Sequence, residues 1–195
     1  MSALNEILGY LLQTAISLYL LVMLLRFLLH AVRADFYNPL SQFVVKATQP
    51  ALAPLRRVLP AVGRIDVAAL VEAVALQALG IVLMLLLNGV GLPGVTQLVA
   101  WSVVGVLALL VNIYFFALIG MIIVSWVAGG SRHPAILLLY QITEPVMAPV
   151  RKLLPPMGGI DFSPILVFIL INVVQIALRH AAAGIGLHPA LVMGL

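Results

Sequence analysis

Residues 48–66, TQPALAPLRRVLPAVGRID, recur 95 positions later as residues 143–161, TEPVMAPVRKLLPPMGGID. The alignment needs no gap, and ten of its nineteen positions are identical, among them Thr48/Thr143, Pro54/Pro149, Arg56/Arg151, Gly63/Gly158 and Asp66/Asp161. So long a match at one fixed offset marks an internal duplication. Working outward, each copy sits between stretches too apolar for a soluble protein. The 195-residue chain is 64% hydrophobic and 8% charged, against about a quarter charged in ordinary soluble domains, and its mean hydropathy is +1.23. A lipid bilayer is therefore its expected solvent and first partner.

A membrane-spanning helix needs about 20 largely apolar residues, and four segments qualify, near 7–29, 67–87, 98–124 and 164–182. Continuous helix is expected through each, because lipid offers no partner for a free backbone N–H or C=O. The expected fold class is an all-α membrane protein, with four transmembrane helices as two parallel repeats of helix, basic amphipathic loop, helix. The first repeat covers 1–95, with cytoplasmic loop 30–66; the second covers 96–195, with cytoplasmic loop 127–161. Two spans per unit return the chain to its starting side, so both units share one orientation.

Charge sets that orientation. The two loops carry Arg33, Lys46, Arg56, Arg57, Arg64, Arg132, Arg151 and Lys152, whereas the connector 88–97 carries no charge. The positive-inside rule then places both loops in the cytoplasm and both termini in the periplasm. Arg179 opposes the bias and is expected to snorkel to the outer headgroups. Residues 1–6 hold no Lys or Arg, so the first helix reads as a retained span rather than a cleaved signal. With topology accounting for the net charge of +4, nucleic acid is not an expected partner.

Within the loops, Asn38-Pro39 and His133-Pro134 occupy equivalent positions. Asn38 is a plausible helix cap before a proline at the first helical position. A short interfacial helix is expected from Leu40 to Ala47, while the more apolar 136–142 segment points to deeper burial or re-entry. Pro50, Pro54 and Pro60, with Pro145, Pro149 and Pro155, are expected to prevent long regular helix through the repeat. Arg56 and Arg57, like Arg151 and Lys152, are expected to face headgroups and anchor to anionic lipid at the cytoplasmic face. A partner-docking surface or a phosphorylated ligand is the alternative for these pairs. Gly63 and Gly158 are expected to permit turns. Asp66 is expected to cap the second span and, like Asp161, to cap locally or pair with a nearby base; Ser163-Pro164 reads as the cap of the last span.

At membrane depth, the 95-residue offset maps Ser17 onto Asn112 and Gln77 onto Asn172. These four are expected to converge on the bundle interior as interhelical hydrogen bonds, with a solute path as the alternative. Arg26 and Glu72 lie at comparable depth and map onto Met121 and Val167, so both charges are missing together from the second half. An Arg26–Glu72 ion pair is expected, with ion coupling as the alternative. Ala69, Ala73, Gln77 and Gly80 form a small-residue stripe that admits a close neighbour. His30, His133, His180 and His188 lack metal-ligand spacing, there is no cysteine, and no nucleophile–base set or phosphate-binding glycine loop stands out. No catalytic, cofactor or metal residue is therefore assigned.

The elements T-x-P, P-x-R-[RK]-x-L-P and G-x-I-D, written twice, together with Arg26 and Ser125-Trp126, make nearly the whole chain resemble the YggT family, related to plastid and cyanobacterial YlmG proteins. The family pattern places Arg four residues before Ser-Trp; the first half here keeps Arg26 but has His30-Ala31, and the second keeps Ser125-Trp126 but has Met121. The resemblance implies a multi-pass protein of the bacterial inner membrane with no established enzymatic mechanism. It also implies links to cell division and envelope organisation, or to osmotic and potassium homeostasis. The expected function is a non-enzymatic scaffold or assembly factor that engages an unidentified membrane protein or its own copies. The alternative is a small channel or transport accessory.

Overall fold

A computed structural model of the chain describes residues 3–128, 130–154, 161–192 and 195. Its elements are α1 (Ala3–Ala31), α2 (Pro39–Leu55), α3 (Val67–Leu87), α4 (Val95–Val127), α5 (Pro134–Leu153) and α6 (Ser163–Gly184), followed by a 3-10 turn at Pro189–Leu191. By length and composition, α1, α3, α4 and α6 are each able to cross a membrane. The 33 residues of α4 give it a length of about 50 Å, well beyond a hydrocarbon core of about 30 Å.

The helices start and stop for local reasons. Asp66 caps α3 by accepting from the Ala69 N–H at 3.2 Å, and Asn38 caps α2 by accepting from the Leu40 N–H at 3.0 Å. His133 repeats the Asn38 role for α5, its Nδ1 accepting from the Ala135 N–H. Ser163 is not the cap of α6: the helix begins at Ser163, whose N–H donates to Asp161 Oδ1 at 2.9 Å. At their C-terminal ends α3 and α6 close with paired reverse bonds around Gly89 and Gly186, which have φ of +66° and +70°. α1 closes with the same pair of bonds, Arg33 N–H to His30 O and Ala34 N–H to Leu29 O, but the left-handed residue there is Arg33, at φ +53°.

The prolines do not break the amphipathic helices. Pro50 and Pro54 lie inside the 17-residue α2, and Pro145 and Pro149 inside the 20-residue α5. Each pair is spaced by four, so both rings share the exposed face, whereas Ser41, Val44, Thr48 and Leu52 form the buried face of α2. The carbonyls that lose their donor thus lie on the side open to water or headgroups, and packing of the opposite face holds the helix. Thr48 and its counterpart Thr143 are buried and donate back to Val44 O at 2.8 Å and Leu139 O at 2.9 Å. Pro155 and Gly158 lie outside the described residues.

α1 packs against α3 and α2, α4 packs against α6 and α5, and the two groups meet chiefly between α3 and α4. One core joins Leu20, Met23, Leu24 and Leu28 of α1 to Leu52 of α2 and Ala69 and Ala73 of α3. Another joins Leu118 and Met121 of α4 to Met147 of α5 and Val167 and Ile171 of α6. The small-residue stripe of α3 is buried throughout, with Gly80 against Ile16 of α1. The chain end folds inward: Val192 is buried, and Trp101 Nε1 donates to Ile185 O at 2.9 Å.

Candidate functional site

The duplicated segment builds the same ion pair twice. Arg56 ends α2 and Asp66 begins α3, and the turn between them closes through two hydrogen bonds linking Val62 and Ile65, with Gly63 at φ +61°. This brings Arg56 Nη2 onto Asp66 Oδ2. The equivalent Arg151 lies 3.3 Å from Asp161 and also reaches Glu144 at 3.1 Å. Environment separates the two copies: the Asp66 side chain is fully buried, whereas that of Asp161 is 38% exposed. Slight burial pushes the Asp161 carboxyl up, but hydrogen bonding to Ser163 and the charge of Arg151 outweigh it and hold the group below the usual carboxylate range.

These clasps correct the expectation of two outward-facing dibasic pairs. Arg56 and Arg151 turn toward their aspartates, while Arg57 and Lys152 remain exposed. Opposite charge at a fixed separation draws one member of each pair inward. Arg26 likewise lies within electrostatic reach of Asp66 and Arg56. Among the described residues it forms no salt bridge with Glu72. Asp66 and Glu72 are six residues apart, about 120° round the helix, so a side chain placed toward Asp66 does not address the Glu72 face.

The expected four-residue polar cluster divides in two. Ser17 and Gln77 line one small cavity of about 10 Å³ together with Gln13. Between α4 and α6, Asn112 Oδ1 accepts from Gln175 at 2.7 Å, and Asn172 is exposed and donates to its own Phe168 O. Gln175 stands three residues beyond Asn172, about 60° round α6, and it is Gln175 whose amide reaches Asn112 on α4.

The two amphipathic helices are joined at their starts. The buried Asn38 side chain donates to Pro134 O at 2.7 Å, and Gln141 accepts from the Asp35 N–H at 3.3 Å. Asn38→Ala removes a helix cap and an inter-helix hydrogen bond together, a loss of about 2 kcal/mol. SDS-induced unfolding of the purified protein should show that loss, and an unchanged midpoint would exclude it.

A cleft of 220 Å³ opens where α1 ends and α2 begins, lined by Arg26, His30, Arg33, Ser41, Phe36 and Gly63, with Leu29, Ala34 and Val45 as apolar wall. Its counterpart in the second half, 540 Å³, includes Met121, Ser125 and Tyr140, which stand 95 positions after Arg26, His30 and Val45. His30, Arg33 and Ser41 were not singled out as a site from sequence. The usable signal was the offset itself, which turns Arg26, His30, Arg33 and Ser41 into Met121, Ser125, Ala128 and Ile136. Among the described residues no group of His, Asp and Glu is arranged to hold a metal ion.

Four long apolar helices carrying two amphipathic helices at one end define a polytopic α-helical membrane protein. A model of the CCB3/YggT family matches residues 5–87 and again 100–182, and the chain belongs to that family. It is 49% identical to an uncharacterized protein of Pseudomonas aeruginosa over 193 residues, covering 98% of each chain. It is 42% identical to the uncharacterized protein YggT of Escherichia coli, covering 96% of this chain and 98% of that one. A Vibrio alginolyticus relative is 42% identical over 83% of this chain and 87% of its own. No solved structure matches.

Proposed function

We propose that the chain is a non-enzymatic scaffold or assembly factor of the bacterial inner membrane, built as two parallel repeats with α2 and α5 at the cytoplasmic face and both termini periplasmic. The observation that carries this reading is the joined platform: α2 and α5 are tied through Asn38 and Pro134 and, with Phe36 and Tyr37 of the turn before α2, present Phe43, Leu137 and Leu153 as exposed apolar groups. Such a surface suits an amphipathic position at a membrane edge and contact with another membrane protein. Arg57 and Lys152, both exposed on this platform, suit attraction to anionic lipid. The repeated packing of α1 on α2 and α3, and of α4 on α5 and α6, supports the two-unit reading, as does the family match to two segments of equal length.

The transport alternative draws on Ser17, Gln77, Asn112 and Asn172, of which Ser17 and Gln77 line, with Gln13, a cavity of about 10 Å³, room for roughly one water. In-cell photo-crosslinking from Phe43 of α2 and Leu153 of α5 tests the scaffold reading, with a reporter at the C-terminus testing orientation. The expected result is one shared membrane-protein adduct from both positions and a periplasmic reporter. Selective solute flux from the purified protein in liposomes, without a shared adduct, would replace scaffold with transport.

A further inference from the structure

We propose that the cleft between the end of α1 and the start of α2 binds a phosphate group, either the headgroup of an anionic phospholipid or a water-soluble phosphate ester. The inference starts from charge. Arg26 and Arg33 both line the cleft, and Arg56 lies close enough to Arg26 to act on it. The nearest buried carboxylate, Asp66, is engaged by Arg56, and Asp35 on the adjoining turn accepts from the Tyr37 N–H at 2.9 Å. The cleft is left with an excess of positive charge at the end of an apolar helix of membrane-spanning length, where a headgroup phosphate is expected.

Two polar atoms sharpen this from a basic patch to a built site. Ser41 is only 3% exposed, and its Oγ is buried without a hydrogen-bond partner among the described residues. His30 Nε2 is buried in the same condition, and both residues line the cleft. A buried hydroxyl or ring nitrogen without a partner is costly, and the cost is relieved when a ligand oxygen reaches it. Two guanidinium forks, a hydroxyl and a ring nitrogen supply more donors than a carboxylate or halide uses, whereas the oxygens of a phosphate match them. The volume of 220 Å³ is far above the roughly 10–15 Å³ one water needs, so an ester substituent also fits.

The backbone adds an independent observation. Three helices end with the same pair of reverse bonds, and α3 and α6 place glycine at the left-handed position; α1 places Arg33 there. A side chain at positive φ is strained, and such strain gathers at functional positions. The second half then serves as an internal comparison. It keeps a cavity at the equivalent place, but the positions of Arg26, His30, Arg33 and Ser41 carry Met121, Ser125, Ala128 and Ile136. The second cavity instead has Arg151 in its wall, paired there with Asp161, whereas Arg26 and Arg33 form no salt bridge among the described residues.

The test uses the full chain in phosphatidylcholine nanodiscs. Inorganic phosphate and glycerol phosphate are titrated by calorimetry, and nanodiscs containing phosphatidylglycerol are assayed for lipid retained by the protein in native mass spectrometry. Arg33→Gln is expected to weaken binding about ten-fold, and Ser41→Ala about three-fold. Both lie beyond the last turn of α1, so neither burdens the span. Arg132→Gln, which removes the same charge from an exposed site outside the cleft, is expected to change binding by less than about two-fold. Saturable binding of the soluble probes with this pattern supports a water-soluble phosphate. Retention of phosphatidylglycerol alone with this pattern supports a headgroup. Binding of neither, or equal loss in Arg33→Gln and Arg132→Gln, overturns the proposal.

Discussion

Asp66→Asn is expected to destabilise the purified protein by about 3 kcal/mol, against about 1 kcal/mol or less for the equivalent Asp161→Asn. The two aspartates occupy the same position of the repeat and pair with equivalent arginines, but they differ in burial, and Arg151 has a second carboxylate partner in Glu144. The Asp66 side chain is fully buried and that of Arg56 is 28% exposed, whereas Arg151 and Asp161 are 37% and 38% exposed. Removing the buried carboxylate takes away the charge that pairs with Arg56 and acts on Arg26. Partial exposure of Arg56 sets the loss at the low end of what breaking a buried pair costs. Asparagine can still accept from the Ala69 N–H, so Asp66→Ala should cost about 1 kcal/mol more, the worth of the cap. Midpoints of SDS-induced unfolding give the comparison, and equal effects at positions 66 and 161 would show that burial does not set the strength of the clasp.

The same pair makes a pH prediction. The folded-state pKa of Asp161 is lowered, so its contribution is present above the unfolded carboxylate value and is lost as pH falls through the folded value. Acidification from neutral pH should therefore destabilise the wild type more than Asp161→Asn, measured by the same unfolding midpoints across that window.

Gly105→Leu is expected to cost about 3 kcal/mol through overpacking. A Cβ at this position would stand 2.8 Å from Val192 Cγ1 and 3.2 Å from Gln77 Cδ, so a larger side chain must displace the returning chain end, the α3 contact, or both. Because Val192 is the nearer obstacle, Val192→Ala should reduce the penalty of Gly105→Leu by about 1 kcal/mol. That coupling is the signature of direct contact. A penalty of equal size in both backgrounds would place the clash on Gln77 and α3 instead.

Much of the fold is legible in residue order. The spans read near 67–87 and 164–182 coincide with α3 and nearly with α6, and those near 7–29 and 98–124 extend by a few residues at each end as α1 and α4. An apolar run of bilayer length leaves the backbone little alternative to helix. The amphipathic helices were harder to read, because proline is a strong local signal against helix. Placing Pro50 and Pro54 on one exposed face reduces that signal to missing bonds on the outer side. The candidate sites were less legible. The Arg26–Glu72 pairing followed from shared depth and joint absence, but depth does not specify angle around a helix. Asn172 and Gln175 show the same limit, since both lie in α6 and only one faces Asn112.

The sequence by itself determined the four apolar helices and the duplicated Arg and Asp, because hydropathy and repetition are written in residue order. Tertiary structure decided what those charges meet: a clasp around a fully buried aspartate in one half, a more exposed clasp in the other, and a basic cleft assembled from the end of α1 and the start of α2. The physical reason is that pairing energy depends on distance, direction and burial, and these quantities exist only once separate helices are brought together.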